Sequence, residues 1–267
     1  MDKPAQIGAE YSEEIRAAAE RFGDHEGMSP ARVLKWMLQF SEEDLPLAEK
    51  LLQQLRYFNA NNLRALTRQM VEMIMNEVDG ATPGGTVFVP LSREPGGGAE
   101  IVARVLRSLR NPVRPRIMTM VDLGEPPSNV DTLVFVDDFS GTGDTLTEWW
   151  ETIEALVRPL AARAVFAALI MTSGAAERVS EFAVAASVLE LGPDSNVLGD
   201  DNAVFDGSEK ERIFAYCRDT GCNAALVRGY GECGLLLAFT HGCPNNSLPI
   251  LWYGDKGWDT LFLRRAI

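Results

Sequence analysis

Residues Leu133–Leu146 read LVFVDDFSGTGDTL: four apolar residues, two carboxylates, a run of small or hydroxylated residues, and then the start of an apolar-periodic stretch. The apolar run makes a short buried strand, with Asp137 and Asp138 at its carboxyl end and a helix beginning close behind. Gly141 and Gly143 let the backbone turn with its N–H groups directed inward. Ser140, Thr142 and Thr145 bring hydroxyl donors to the amino end of that helix, a combination suited to a phosphate. The aspartates ahead of it would repel a phosphate but accept hydrogen bonds from sugar hydroxyls or hold a hydrated divalent cation. A phosphorylated sugar satisfies both halves. Aspartate at a strand end and Ser, Thr or Gly at a helix start are also ordinary turn and cap chemistry, and the adjacent acid pair is what sets this stretch apart. It lacks the GK[ST] ending of a P-loop and is not GxGxxG, so the two commonest nucleotide fingerprints do not apply.

Outward from this segment, short apolar runs alternate with helix-like stretches. The runs are TVFVPL from Thr86, RIMTMVDL from Arg116, TLVFVDD from Thr132, AVFAALIMT from Ala164, SVLEL from Ser187, ALVRGY from Ala225 and CGLLLAFT from Cys233. Helices are expected over Ala99–Leu109, Leu146–Leu160, near Ala175–Ala185 and near Ser208–Arg218. This alternation predicts an α/β fold, a mostly parallel sheet flanked by helices, with ligands at the carboxyl ends of the strands. Upstream, Leu47, Leu51 and Leu55 form one apolar stripe and Leu63, Leu66, Met70, Met73 and Ile74 another, while Ser29-Pro30 reads as a cap followed by proline at the first helical position. The breaker DGATPGG, Asp79–Gly85, ends that pattern. The linear reading is therefore a helical region over 1–82 and an α/β domain over 83–267.

Hydrophobic residues make up 46% and charged residues 24% of the 267, which excludes whole-chain disorder. The formal charge of −13 argues against broad sequence-independent binding to nucleic acid. Four cysteines, at 217, 222, 233 and 243, lack zinc-site spacing and read as reduced thiols. The amino terminus has no apolar targeting core, and no apolar run approaches the roughly 20 residues of a membrane span. A cytoplasmic protein with no membrane attachment is expected.

The stretch resembles the phosphoribosyl-pyrophosphate loop of type I phosphoribosyltransferases, in which a strand, an acidic pair and a small-residue loop end in Thr-Gly-x-Thr-Leu. Here Thr142, Gly143, Asp144, Thr145 and Leu146 match that ending. Gly141 stands where the family often carries a second threonine. The resemblance implies that Asp137 and Asp138 hold the ribose hydroxyls and that Ser140, Gly141, Thr142, Gly143, Asp144 and Thr145 hold the 5-phosphate. It further implies a pyrophosphate loop after TVFVPL, which places Arg93, Gly96 and Gly97 of SREPGGG against the pyrophosphate, with Mg2+ carried by the substrate and no metal site built from protein ligands alone. ARVLKWMLQF, LAEKLLQQLRYF, the DDFSGTGDTL loop and the C-terminal GYGECGLLLAFTHGCPNNSLPILWYGDKGWDTLFLRR together resemble phosphoribosyltransferase-like proteins of bacterial conflict systems, some of them retron-associated. That likeness implies a role in antiviral defence, a reverse transcriptase or RNA–DNA sensor complex as partner, and a homodimer.

Around the candidate site, Tyr230, Trp252 and Tyr253 are candidates for stacking on a base, and His241 is the one serious histidine candidate for acid–base work. Structural roles are the commoner account of such residues, as turn formers and as a satisfied histidine after an apolar strand. Arg104, Arg107, Arg110, Arg114 and Arg116 form the one basic concentration, and the proline-bearing segment Asn111–Asn129 is the candidate for a mobile lid. Three readings stay open: a phosphoribosyltransferase, a non-catalytic subunit that binds a sugar phosphate or nucleotide, and a nucleosidase acting on finished nucleotides.

Overall fold

A computed structural model describes residues 3–91, 97–110, 115–125, 129–160 and 162–263. The first elements in chain order are α1 (Lys3–Glu10), α2 (Ser12–Arg21), α3 (Pro30–Met37), α4 (Leu45–Gln54), β1 (Arg56–Phe58) and α5 (Ala60–Glu77). They are followed by β2 (Thr86–Pro90), α6 (Gly98–Ser108), β3 (Arg116–Ile117), β4 (Thr132–Ser140), α7 (Asp144–Val157) and β5 (Arg163–Thr172). The chain continues with α8 (Ser173–Ser180), β6 (Val184–Leu191), α9 (Gly207–Asp219) and β7 (Leu237–Phe239).

Strands β2 to β6 form one parallel sheet in the order β3-β2-β4-β5-β6. Leaving β2, the chain moves to one side for β3 and returns on the other side for β4. The carboxyl ends of β2 and β4 therefore flank the point where strand order reverses, the place where open α/β sheets bind ligands. Val87, Phe88, Val134, Phe135, Val136 and Phe166 are fully buried, as expected for strands covered on both faces, whose sequences run apolar without alternation. Leu133 and Phe135 share a core with Ile153 and Val157 of α7 and Ala175 and Val179 of α8, and α6 packs on β2 and β4. Aromatic rings fill the middle of that core: Phe135 stacks on Phe166 with centroids 5.0 Å apart, and Trp150 meets Phe166 edge-on and stacks on Phe182.

Three of the expected runs differ. RIMTMVDL contributes only Arg116 and Ile117 to the sheet, because the Asp122 carboxylate takes the Thr119 N–H and hydroxyl, each at 2.7 Å, and winds the chain into a turn over Val121–Gly124. ALVRGY folds as two tight turns about Gly229, whose φ of 73° favours glycine. CGLLLAFT supplies only Leu237–Phe239, and this strand pairs in parallel with β1, forming a separate two-stranded sheet.

The division in space accordingly departs from the linear one at 82/83. One compact unit runs from Asn61 to Gly192, and the other joins Met1–Ala60 to Pro193–Ile267. Within this second unit the two chain ends share one core, in which Phe22, Trp36, Met37, Leu251 and Phe262 are buried. The indoles of Trp36 and Trp258 both donate to the Ile250 carbonyl, at 2.7 and 3.0 Å. Gln39 exchanges two hydrogen bonds with the Asp259 backbone, at 2.9 and 2.5 Å. Asp44 accepts from the hydroxyls of Tyr216 at 2.6 Å and Ser41 at 3.0 Å and pairs with Arg212. Burial alone would raise its pKa, but these three partners together bring it below the usual carboxylate value. Capping fixes the helix starts: Ser29 accepts from the Arg32 N–H, and Asp206 with Glu209 makes a reciprocal capping box.

His25 clips the C-terminal segment to this core. Its Nδ1 lies 3.1 Å from the Thr240 carbonyl oxygen, and its Nε2 accepts the Leu263 N–H at 2.9 Å. Only a neutral ring with its proton on Nδ1 makes both bonds. Burial is the main cause that lowers its pKa, with Arg32 adding to it against the Thr240 carbonyl and Asp24. A histidine held neutral contributes stability above its unfolded pKa of about 6.5 and loses it as pH falls toward the lowered folded value. Thermal unfolding of the wild type should therefore drop between pH 7.5 and 5. His25→Asn should start lower and change less over the same interval; an equal decline in both proteins would remove His25 as the cause.

Candidate functional site

β4 outlasts its neighbour β2. The pairing of the two ends at Pro90 opposite Val136, and the Leu91 N–H still bonds the Val136 carbonyl at 3.0 Å. On the other side, β4 continues along β5 to Ser140 opposite Met171. Asp137 and Asp138 thus stand where β2 has ended, at the strand-order reversal. By the alternation of a strand, Asp138 continues the row of Val134 and Val136, and Asp137 that of Leu133 and Phe135.

Asp138 is buried, and its carboxylate lies against the first residue of α6. A Cβ at Gly98 would fall inside the Asp138 carboxylate, so the acid is seated against the helix start, where its charge meets the positive end of the dipole. Asp137 is half-buried, and its Oδ1 accepts the Asp138 N–H at 2.8 Å. Its pKa is raised well above the ordinary value, first by burial and then by the neighbouring Asp138 charge. Two carboxyl groups side by side offer several oxygen acceptors to vicinal hydroxyls.

The loop that follows is tied down from behind. The Thr172 hydroxyl donates to the Gly141 carbonyl at 2.6 Å and accepts the Ala175 N–H at 3.1 Å, joining the loop to the start of α8. Gly143 caps α7 with φ 76°, a left-handed conformation that favours glycine, and its carbonyl accepts from the Thr147 N–H and hydroxyl. Asp144, the first residue of α7, accepts the Thr142 hydroxyl at 2.8 Å and pairs with Arg178 at 2.5 Å. Ser140 is buried at the strand end, whereas Thr145 is exposed on the first turn of α7.

The structure therefore brings Asp137, Asp138 and the whole Ser140–Thr145 loop to one strand end, and it places Gly97 immediately before Gly98 at the start of α6. Arg93 and Gly96 lie outside the described residues, as do Arg114 and parts of the Asn111–Asn129 segment. Sequence reasoning missed Thr172 and Arg178, and it read Gly98 only as the last of the three glycines in SREPGGG. Thr172 was open to discovery as a hydroxyl cap after an apolar strand. Nothing in the sequence around Gly98 or Arg178 named the acid each would meet. Tyr230, His241, Trp252 and Tyr253 belong to the unit formed by the chain ends. There the Trp252 indole donates to the Ser247 carbonyl at 3.0 Å and His241 stacks on Phe239. In the basic concentration, Arg107 pairs with Glu100 at 3.0 Å and Arg116 donates to the Gly84 carbonyl. Cys217, Cys222, Cys233 and Cys243 are free thiols.

Among the described residues, no three His, Cys, Asp or Glu side chains converge as a metal site, and no helix is long and apolar enough to cross a membrane. The family model described as PRTase-CE matches residues 33–264. No curated protein matches the chain. Among solved structures, it is similar to the Helicobacter pylori xanthine-guanine-hypoxanthine phosphoribosyltransferase, at 12% identity and a TM-score of 0.35 over 51% of this chain and 85% of that one. It is similar as well to the Mycobacterium tuberculosis H37Rv orotate phosphoribosyltransferase in complex with inorganic phosphate, at 22% identity and a TM-score of 0.31 over 49% and 71%. A third, the AQ2163 protein from Aquifex aeolicus, shares 13% identity with a TM-score of 0.34 over 61% and 83%.

Two measurements test this geometry without a ligand. Gly98→Ala should destabilise the protein by about 1–3 kcal/mol in urea, the usual cost of forcing atoms into a filled space. Gly174→Ala, with nothing near its added methyl, should leave stability unchanged or slightly higher. A carboxyl whose folded pKa is raised loses stability as pH rises through that value. Asp137→Asn should therefore unfold at higher temperature than wild type near neutral pH, with the gain shrinking toward pH 4. A variant less stable than wild type at neutral pH would contradict the strained acid pair.

Proposed function

The chain belongs to the PRTase-CE family, and on that premise we propose that its strand-end site binds phosphoribosyl pyrophosphate, or a related ribose phosphate or nucleotide, and transfers the phosphoribosyl group to an acceptor. The observation that carries this reading is the meeting, at one strand-order reversal, of two adjacent aspartates with a hydroxyl-bearing loop that closes onto a helix start. Asp137 and Asp138 take the 2′- and 3′-hydroxyls of the ribose. The loop from Ser140 to Thr145 takes the 5-phosphate through backbone N–H groups and the exposed Thr145 hydroxyl, assisted by the α7 dipole. Arg93, Gly96 and Gly97, on the segment between β2 and α6, take the pyrophosphate.

The reaction asks little covalent chemistry of the protein. The bond from the anomeric carbon to pyrophosphate breaks, positive charge develops on the sugar ring, and the acceptor closes on the opposite face. Holding the ring and placing carboxylates beside the developing charge supply the acceleration. Two adjacent aspartates fit a magnesium ion that keeps most of its ligands from substrate oxygens and water. When bound, that ion neutralises the departing pyrophosphate.

The likeness of the C-terminal stretch to conflict-system proteins supports placing this activity in antiviral defence, as an effector controlled by a reverse transcriptase or RNA–DNA sensor complex and acting as a homodimer. The site itself names no acceptor.

Calorimetric titration with phosphoribosyl pyrophosphate in magnesium, beside an Asp137→Asn, Asp138→Asn double variant, tests the assignment. Wild type should bind and the folded double variant should not. Heat of binding without pyrophosphate release in the presence of acceptors would point to a regulatory subunit, and free base released from nucleotides without pyrophosphate would point to a nucleosidase. No binding by folded wild type refutes the proposal.

A further inference from the structure

The loop carries one charge that a phosphate cradle would be expected to avoid. Gly141, Thr142, Gly143 and Thr145 are neutral, yet Asp144 stands among them at the first position of α7, where the 5-phosphate is assigned. Its Oδ2 accepts the Thr142 hydroxyl at 2.8 Å and its Oδ1 pairs with Arg178 Nη1 at 2.5 Å. Arg178 reaches it from α8, with its stem against Gly143: a Cβ at Gly143 would touch Arg178 Cδ and Cβ at 3.4 and 3.5 Å and the Ala175 carbonyl at 3.4 Å. The arginine thus backs the loop from the α8 side.

We propose that Arg178 is a positioning residue that acts through Asp144: by neutralising this carboxylate and holding it against the loop, it lets a dianionic phosphomonoester bind where the two negative groups would otherwise repel. This rests on the sugar-phosphate reading of the site and deepens it, because it makes the ligand's phosphate charge the quantity to which Arg178 responds. Without Arg178 the carboxylate loses the guanidinium paired with it at 2.5 Å. Without both side chains the cradle is a neutral loop at a helix start, which needs no cation to accept a phosphate.

The test uses the full chain and ribose 5-phosphate, titrated calorimetrically into wild type, Arg178→Gln, Arg178→Lys, Asp144→Asn and the Arg178→Gln, Asp144→Asn double variant, each shown to be folded by thermal unfolding. Arg178→Gln should bind several-fold to about tenfold more weakly near pH 7.5, the scale of one partly screened charge. That deficit should shrink near pH 5, where the phosphate, with a second pKa of about 6, is mostly monoanionic. Arg178→Lys should retain most of the affinity, Asp144→Asn should bind more tightly than wild type, and the double variant should recover what Arg178→Gln lost. A double variant as weak as Arg178→Gln would overturn the proposal in favour of direct contact between the arginine and the phosphate. Equal weakening by Asp144→Asn and Arg178→Gln, independent of pH, would reduce the pair to a structural brace. If wild type binds no ribose phosphate, the sugar-phosphate reading itself fails and this inference falls with it, an outcome separate from the other two.

Discussion

The Asp138 carboxylate occupies the space that a side chain at position 98 would fill, and the candidate site follows from that contact. Because α6 begins there without a Cβ, its first turn closes onto the carboxyl end of β4, and an acid can be buried at the middle of a parallel sheet beside a helix dipole. Asp137, one residue earlier, is left half-buried next to a charge it cannot escape. The strand-order reversal supplies the room: β2 has ended at Leu91, while β4 runs on beside β5 to Ser140. A pair of carboxylates so placed is costly to the resting protein, and that cost marks a functional position more than a structural one.

Charge is arranged with the same economy in the loop. Asp144 brings a negative group to a site assigned to phosphate, and Arg178 cancels it from the neighbouring helix. Thr172 anchors the loop through the Gly141 carbonyl and caps α8 with the same hydroxyl, so loop geometry and the start of the next helix are set by one side chain. The cradle is consequently built from β4, α7 and α8 together. Substitutions on α8, which touches no assigned ligand, should therefore be read as changes to the loop.

The second unit shows what a one-dimensional reading misses. The apolar stripe of α4 and the cap at Ser29 were visible in the sequence, and so was the breaker at Asp79–Gly85. Their partners were not. Trp36 finds its acceptor at Ile250, Gln39 at Asp259 and Asp44 at Arg212 and Tyr216, each close to 170 residues away or farther. CGLLLAFT reads as one more strand of the main sheet because its pattern is that of any buried strand; its pairing with Arg56–Phe58 depends on a register that hydrophobicity does not encode. RIMTMVDL fails as a full strand for a local reason, an Asp122 side chain that competes for the backbone, and that signal was readable.

For this chain, the sequence by itself determined the parallel α/β core and the order acid pair, loop, helix start, since apolar period, glycine and hydroxyl content are local properties written within a dozen residues. The resemblance of Leu133–Leu146 to a phosphoribosyl-pyrophosphate loop was legible for the same reason. Only the tertiary structure decided that both chain ends share a core and that Asp138 rests on Gly98. The pairing of Asp144 with Arg178 was equally hidden, because such contacts join residues tens to hundreds of positions apart, and their energies depend on distance and burial that no linear spacing contains.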